Sequence, residues 1–105
     1  MDHNQVMAMM AEMQLPFAYH HFAEGESPEP PFAVFYYPGD NNFSADGKVY
    51  LAINQLNIEI YTDKKDPELE ARVEAVLYEH DIFYRKTETW IEDEKLYEVL
   101  YQTEV

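Results

Sequence analysis

Hydrophobic positions in this chain follow two periods. Val6, Met10 and Met13 recur at helical spacing behind Asp2, with Met7 and Met9 beside them. That spacing predicts a short first helix capped by Asp2, ending near Gln14 because Pro16 disfavours helical backbone at Leu15. Its methionines have two readings, core filling and an adaptable contact surface for another chain. Phe17 to Phe22 reads as a first strand. Phe32 to Tyr37 is apolar at every position, so both of its faces should be covered, part of them by a neighbouring subunit.

Between these strands, Glu24-Gly25-Glu26-Ser27-Pro28-Glu29-Pro30-Pro31 predicts an extended, polyproline-like connector. Pro38 to Lys48 is polar and turn-rich. Its closing Asp46-Gly47, flanked by Phe43 and Val49, is a hairpin signal that leaves room for a short strand at Phe43. A long strand follows. Val49, Leu51 and Ile53 share one face, then Leu56, Ile58 and Ile60 take the opposite phase, which predicts a bulge or bend around Asn54-Gln55.

The second helix is the clearest element. Asp66 caps it, Pro67 suits its first turn, and Leu69, Val73, Val76, Leu77 and His80 form an apolar stripe. Glu68, Glu70, Arg72, Glu74 and Glu79 fall mainly on the other side. Ile82 to Ile91 and Leu96 to Glu104 then make a hairpin across Glu92-Asp93-Glu94, with Tyr97, Val99, Tyr101 and Thr103 on one face. Strand runs joined by hairpins, with separated helices, predict a single α+β domain over residues 1–105. Its mixed, mainly antiparallel sheet should have about five strands, with two helices packed on one face.

Composition narrows the partners. The chain has 105 residues, 21 acidic and 7 basic side chains and a formal net charge of −14. Every Lys and Arg lies at or beyond Lys48. Such a balance disfavours nucleic acid, whose binding rests on Lys and Arg, and anionic membrane surfaces. The hydrophobic content of 47% and aromatic content of 15% belong to a folded domain rather than a solvating tail. Cysteine is absent, which removes disulfides, thiolate zinc sites and a cysteine nucleophile. The N-terminus has neither a cationic n-region nor an apolar h-region, so a signal peptide is not expected. No apolar run approaches the roughly 20 residues of a spanning helix.

Candidate chemistry is sparse. His20 and His21 look most like ligands, with Glu24 and Glu26 nearby, but adjacent strand residues should point to opposite faces. His80, at the end of the second helix, reads as structural. Glu59 interrupts the Ile58/Ile60 pattern yet alternates with it, marking the solvent face. Ser27 and Ser44 lack a nucleophile-elbow setting, and only three glycines are present, without a phosphate loop. No catalytic, cofactor or metal residue is assigned, and no cofactor is expected. What remains is the aromatic excess in the strands (Phe32, Phe35, Tyr36, Tyr37, Tyr50, Tyr61, Tyr84, Trp90, Tyr97 and Tyr101), open between core and interface roles.

Several stretches carry a resemblance. Leu15-Pro16-Phe17-Ala18-Tyr19, the connector with Pro30-Pro31-Phe32, and Asn42-Phe43-Ser44-Ala45-Asp46 resemble a family of small phage and prophage proteins. So do the stretch from Leu56 to Asp66 and the terminal run from Ile91 to Tyr101. That family, from tailed phages of Gram-positive bacteria, comprises minor virion components of the tail-completion or head–tail joining type. The resemblance implies a non-enzymatic assembly protein with a small α+β fold. It also implies phage tail or neck proteins as partners, and a homo-oligomeric ring formed on assembly. The setting would be the host bacterial cytoplasm during assembly, then the virion. On that reading the loop after Pro38 and the Phe32–Tyr37 strand are the contact elements, with Phe32, Phe35, Tyr36, Tyr37, Asn41, Asn42 and Phe43 as candidates. Two other classes compete: an acidic nucleic-acid mimic inhibiting a basic DNA-binding protein, motivated by the net charge, and a metal-dependent hydrolase centred on His20, His21 and Glu24.

Overall fold

Both helices begin at the expected caps. In the computed structural model, which describes residues 1–105, α1 spans His3–Glu12. Asp2 accepts from the Gln5 amide at 2.8 Å while its own amide donates to the Gln5 side chain, a reciprocal capping box. Met13 closes the helix and Gln14 turns left-handed at φ 61°. The second helix, α2, spans Pro67–Glu79. Asp66 accepts from the Leu69 amide at 3.1 Å, and Glu68 and Glu70 occupy the first turn, where the helix dipole favours anions.

The strands are β1 (Phe17–Tyr19), β2 (Phe32–Tyr36), β3 (Phe43–Ala45), β4 (Lys48–Leu51), β5 (Gln55–Thr62), β6 (Arg85–Ile91) and β7 (Leu96–Glu104). Five of them form one sheet in the order β1-β2-β5-β7-β6. Only β1 and β2 run parallel, joined by the long connector; the other pairs are antiparallel. The connector holds no helix or strand, and its Pro30–Pro31 peptide is cis. Expected and observed fold class agree: an α+β domain with a mixed five-stranded sheet and both helices on one face.

Alternation along β5 sets the core. Leu56, Ile58 and Ile60 point to the helices and are fully buried, with Ala33 and Phe35 from β2 and Val99 and Tyr101 from β7. Against them pack Val6, Met9, Met10 and Met13 from α1 and its cap, and Leu69, Val73 and Leu77 from α2. Filling the core is therefore the role of the α1 methionines, Met7 alone staying exposed.

Three expectations need correction. The long strand from Val49 to Ile60 is two strands in two sheets. Its phase change at Asn54-Gln55, expected as a bulge or bend within one strand, is the point where the chain passes from the ribbon into the main sheet, and β4 pairs with β3 as a separate ribbon. At that junction Asn54 exchanges backbone hydrogen bonds with Val105, and the Gln55 amide donates to the Gly39 carbonyl. Second, β1 stops at Tyr19 rather than Phe22, because His20 is left-handed at φ 66° and turns the chain out of the sheet. Third, β6 starts at Arg85 rather than Ile82. Asp81 leaves α2 at φ 57°, and the Ile82 amide bonds back to the Leu77 carbonyl.

Candidate functional site

The β3–β4 ribbon is the most exposed apolar element. Asp46-Gly47 closes it with both residues at positive φ, 54° and 76°, as a two-residue hairpin turn requires. All seven of its strand residues are exposed. Phe43 is 61% accessible, Val49 61%, Tyr50 81% and Leu51 52%. None of the four belongs to the hydrophobic core. Phe43 stands opposite Leu51 in the pairing, so both strands contribute to the patch. The root is held by polar bonds instead: the Asn41 amide donates to the Ile53 carbonyl, the Ile53 amide to Asn42 Oδ1 at 2.8 Å, and Asn41 Nδ2 to Glu104 at 3.0 Å. The molecule is accordingly elongated, 49 × 30 × 23 Å.

The seven contact candidates are split by this geometry. Phe43 lies on the ribbon, and Asn41 and Asn42 form its root. Phe35 is fully buried between Phe17, Tyr19 and the helices, so it is a core residue and not a contact residue. The reason is parity: Ala33 and Phe35 face the helices, while Phe32, Val34 and Tyr36 alternate onto the other face. Phe32 stacks on Tyr61 with ring centroids 5.2 Å apart. Tyr37 meets His3 Nδ1 at 2.7 Å. Val49 and Leu51 are not among the candidates, and Tyr50 stands only in the aromatic set left open between core and interface roles. Their signal was three consecutive apolar positions next to a hairpin turn, a pattern that fits an unpacked ribbon better than a half-buried strand.

The helix-free face of the sheet carries a tyrosine–carboxylate network. Tyr36 donates to Glu59 Oε1 at 3.0 Å and accepts from Asn57 at 3.2 Å. The Tyr61 hydroxyl donates to Glu59 Oε2 at 2.5 Å and stands 3.2 Å from Glu98. Burial first, then hydrogen bonding to Glu59, pushes the Tyr61 phenol far above its ordinary range. It is a fixed proton donor. Burial and the neighbouring Glu59 charge raise the Glu98 carboxyl. Glu59 thus does more than mark the solvent face, since it ties β2 to β5.

Beyond this network, the same face ends in a groove of about 670 Å³. Asn57, Gln102 and Arg85 stand in one cross-strand row of that groove, beside Gln55 and Glu104.

On the helix side an ion-pair cluster joins α2 to the sheet edge. Lys86 reaches Glu70 and Glu74, each at 2.7 Å, and Lys65 reaches Glu70 at 2.7 Å and Glu88 at 2.6 Å. Glu70 is therefore buried, although helical periodicity placed it on the polar side. Burial alone would raise its carboxyl, but hydrogen bonds from Lys65 and Lys86 overcome that and hold it below the ordinary value.

His20 and His21 do not point apart as strand neighbours would. With His20 left-handed, their Nδ1 atoms lie 2.9 Å from each other. Glu24 and Glu26 do not join them, and no three His, Asp or Glu side chains are grouped to hold a metal ion. His80 contacts Glu12 at 2.7 Å and links the two helices. No helix is long and apolar enough to cross a membrane.

No known protein-family model matches the chain, and no characterised protein matches it significantly.

Proposed function

We propose that this chain is a non-enzymatic virion assembly protein of a tailed phage or prophage. It is of the tail-completion, head–tail joining or minor tail type, and it acts through protein–protein contacts. The observation that carries this reading is the β3–β4 ribbon, which holds Phe43, Val49, Tyr50 and Leu51 in solvent. An isolated two-stranded ribbon is marginal in water, and large apolar side chains concentrated in solvent on one small element mark an interaction surface. The resemblance carried by Asn42-Phe43-Ser44-Ala45-Asp46, within the same ribbon, supports the same assignment. Its partners are tail or neck proteins that cover the ribbon during assembly in the host cytoplasm, after which the protein stays in the virion.

Mass spectrometry of separated heads and tails from a producing lysogen tests the reading. The protein is expected in tails or at the head–tail junction. A strain carrying Phe43→Ser and Tyr50→Ser should make a folded protein, with heads and tails that stay apart. Normal joining in that strain, or absence of the protein from both fractions, overturns the proposal.

A further inference from the structure

The five-stranded sheet has two free edges, and they are unlike. One is β1, three residues long and preceded by Pro16, too short to template another strand. The other is β6, seven residues from Arg85 to Ile91. It contains no proline and no bulge, its pairing with β7 is unbroken, and its first six residues are exposed. Natural proteins guard such an edge, because a row of unpaired N–H and C=O groups recruits another strand. Lys86, whose charge could serve as a guard, is drawn back onto Glu70 and Glu74 of α2.

We infer that β6 is a self-complementary edge that pairs with β6 of a second copy of this chain, antiparallel about a twofold axis through Thr87. Geometry limits the register. A twofold axis normal to the sheet preserves its faces, so residues opposite one another must share a face. Centring on Thr87 meets that condition and places Thr87 opposite the partner's Thr87. Lys86 then stands opposite the partner's Glu88, and the partner's Lys86 opposite Glu88, giving two opposite-charge pairs on the helix side. Arg85 faces the partner's Thr89. Just beyond the strand, Tyr84 faces the partner's Trp90, which is 43% exposed in the single chain. Thr–Thr, opposite-charge and aromatic pairs are the ones that stabilise antiparallel strands. Shifting the axis one residue on, to Glu88, sets two carboxylates against each other.

Charge selects the same edge. The chain carries a net charge of −14, so two copies repel over most of their surface. Beside β6, Arg85, Lys86 and Lys65 balance Glu70, Glu74 and Glu88, which makes this edge locally near neutral on a chain that is otherwise strongly acidic. Pairing there extends the Lys65–Glu88 and Lys86–Glu70 bridges into one alternating run across both copies and joins two five-stranded sheets into a continuous one. The inference stands apart from the virion assignment, since the edge and the ribbon are separate surfaces.

Sedimentation of the full chain tests it. The expected result is a dimer at concentrations on the order of 100 μM that dissociates on dilution, as a small, polar contact should. Glu88→Lys puts like charges opposite one another in both pairs, and so does Lys86→Glu; each should weaken the dimer about tenfold or more. Mixing the two variants restores both opposite-charge pairs, so a heterodimer is expected. Because Lys86→Glu also disturbs α2, a second measurement uses Thr87→Cys in a chain that has no other cysteine. Across the axis the two Cα atoms fall within disulfide range. Mild oxidation should therefore link Thr87→Cys into a covalent dimer, and Thr89→Cys should not link. A wild-type monomer at every concentration, a Glu88→Lys dimer of unchanged strength, or equal crosslinking at both positions overturns the inference.

Discussion

Tyr101 donates its hydroxyl to Glu74 Oε2 at 2.7 Å, joining the centre of β7 to α2. The tyrosine is fully buried, and its partner oxygen is also held by Lys86 at 2.7 Å. One carboxylate thus fixes the helix to two neighbouring strands. Tyr101→Phe should cost about 1–2 kcal/mol, because Glu74 keeps its lysine while losing a hydrogen bond. Tyr101→Ala should cost about 3–5 kcal/mol through the cavity it opens. Urea denaturation followed by circular dichroism separates the two.

Acid should weaken this joint. Burial would raise the Glu70 and Glu74 carboxyls, but hydrogen bonds from Lys86, with Lys65 for Glu70 and Tyr101 for Glu74, leave both below the ordinary 4.5. A depressed folded value means the native state binds the proton less readily than the unfolded chain. Their contribution is therefore complete above the ordinary value and lost as pH falls through the folded one. The thermal midpoint of the wild type should fall between about pH 5 and pH 3, and Glu70→Gln with Glu74→Gln should flatten that limb while lowering the neutral plateau.

Glu98 should behave in the opposite sense. Burial and the Glu59 charge raise its carboxyl, so the folded protein holds that proton more tightly than the unfolded chain. Stability from this group is present at low pH and declines as pH rises through the raised value. Glu98→Gln should increase the melting temperature at pH 7, and the gain should vanish below about pH 4.

The ribbon side chains should be dispensable for folding. Val49→Ser, Tyr50→Ser and Leu51→Ser together remove apolar surface that packs against no core residue, so the stability change should stay within about 0.5 kcal/mol per site. Phe35→Ala, equally aromatic in sequence terms but fully buried, should cost about 3–5 kcal/mol. Parallel denaturation curves make the comparison.

Helix caps and the core parity of β5 and β7 were legible because each is written in local chemistry. Asp66-Pro67 can start only one kind of element well, and Leu56, Ile58 and Ile60 leave one face to bury. Three features were not. A continuous apolar run such as Phe32–Tyr37 does not reveal which parity meets the helices, so Phe35 and Phe32 look alike. A phase change such as Asn54-Gln55 suits a bulge and a departure from the sheet equally well; the choice rests on distant bonds to Gly39 and Val105. Left-handed backbone at His20 has no residue signature, and it alone turns two strand neighbours into facing rings. The exposed ribbon was half legible for the same reason: Asn41, Asn42 and Phe43 announce a loop, but the exposure of Val49–Leu51 depends on what the ribbon fails to touch.

That isolation has a kinetic consequence. The ribbon's amides are tied to one another and, through Gly39, Asn41, Ile53 and Asn54, to a narrow root. Opening it breaks none of the core contacts, so its amides should exchange with deuterium by a local opening, well before those of β5 and β7. The ribbon is then its own cooperative unit, able to melt and re-form while the sheet beneath keeps its shape.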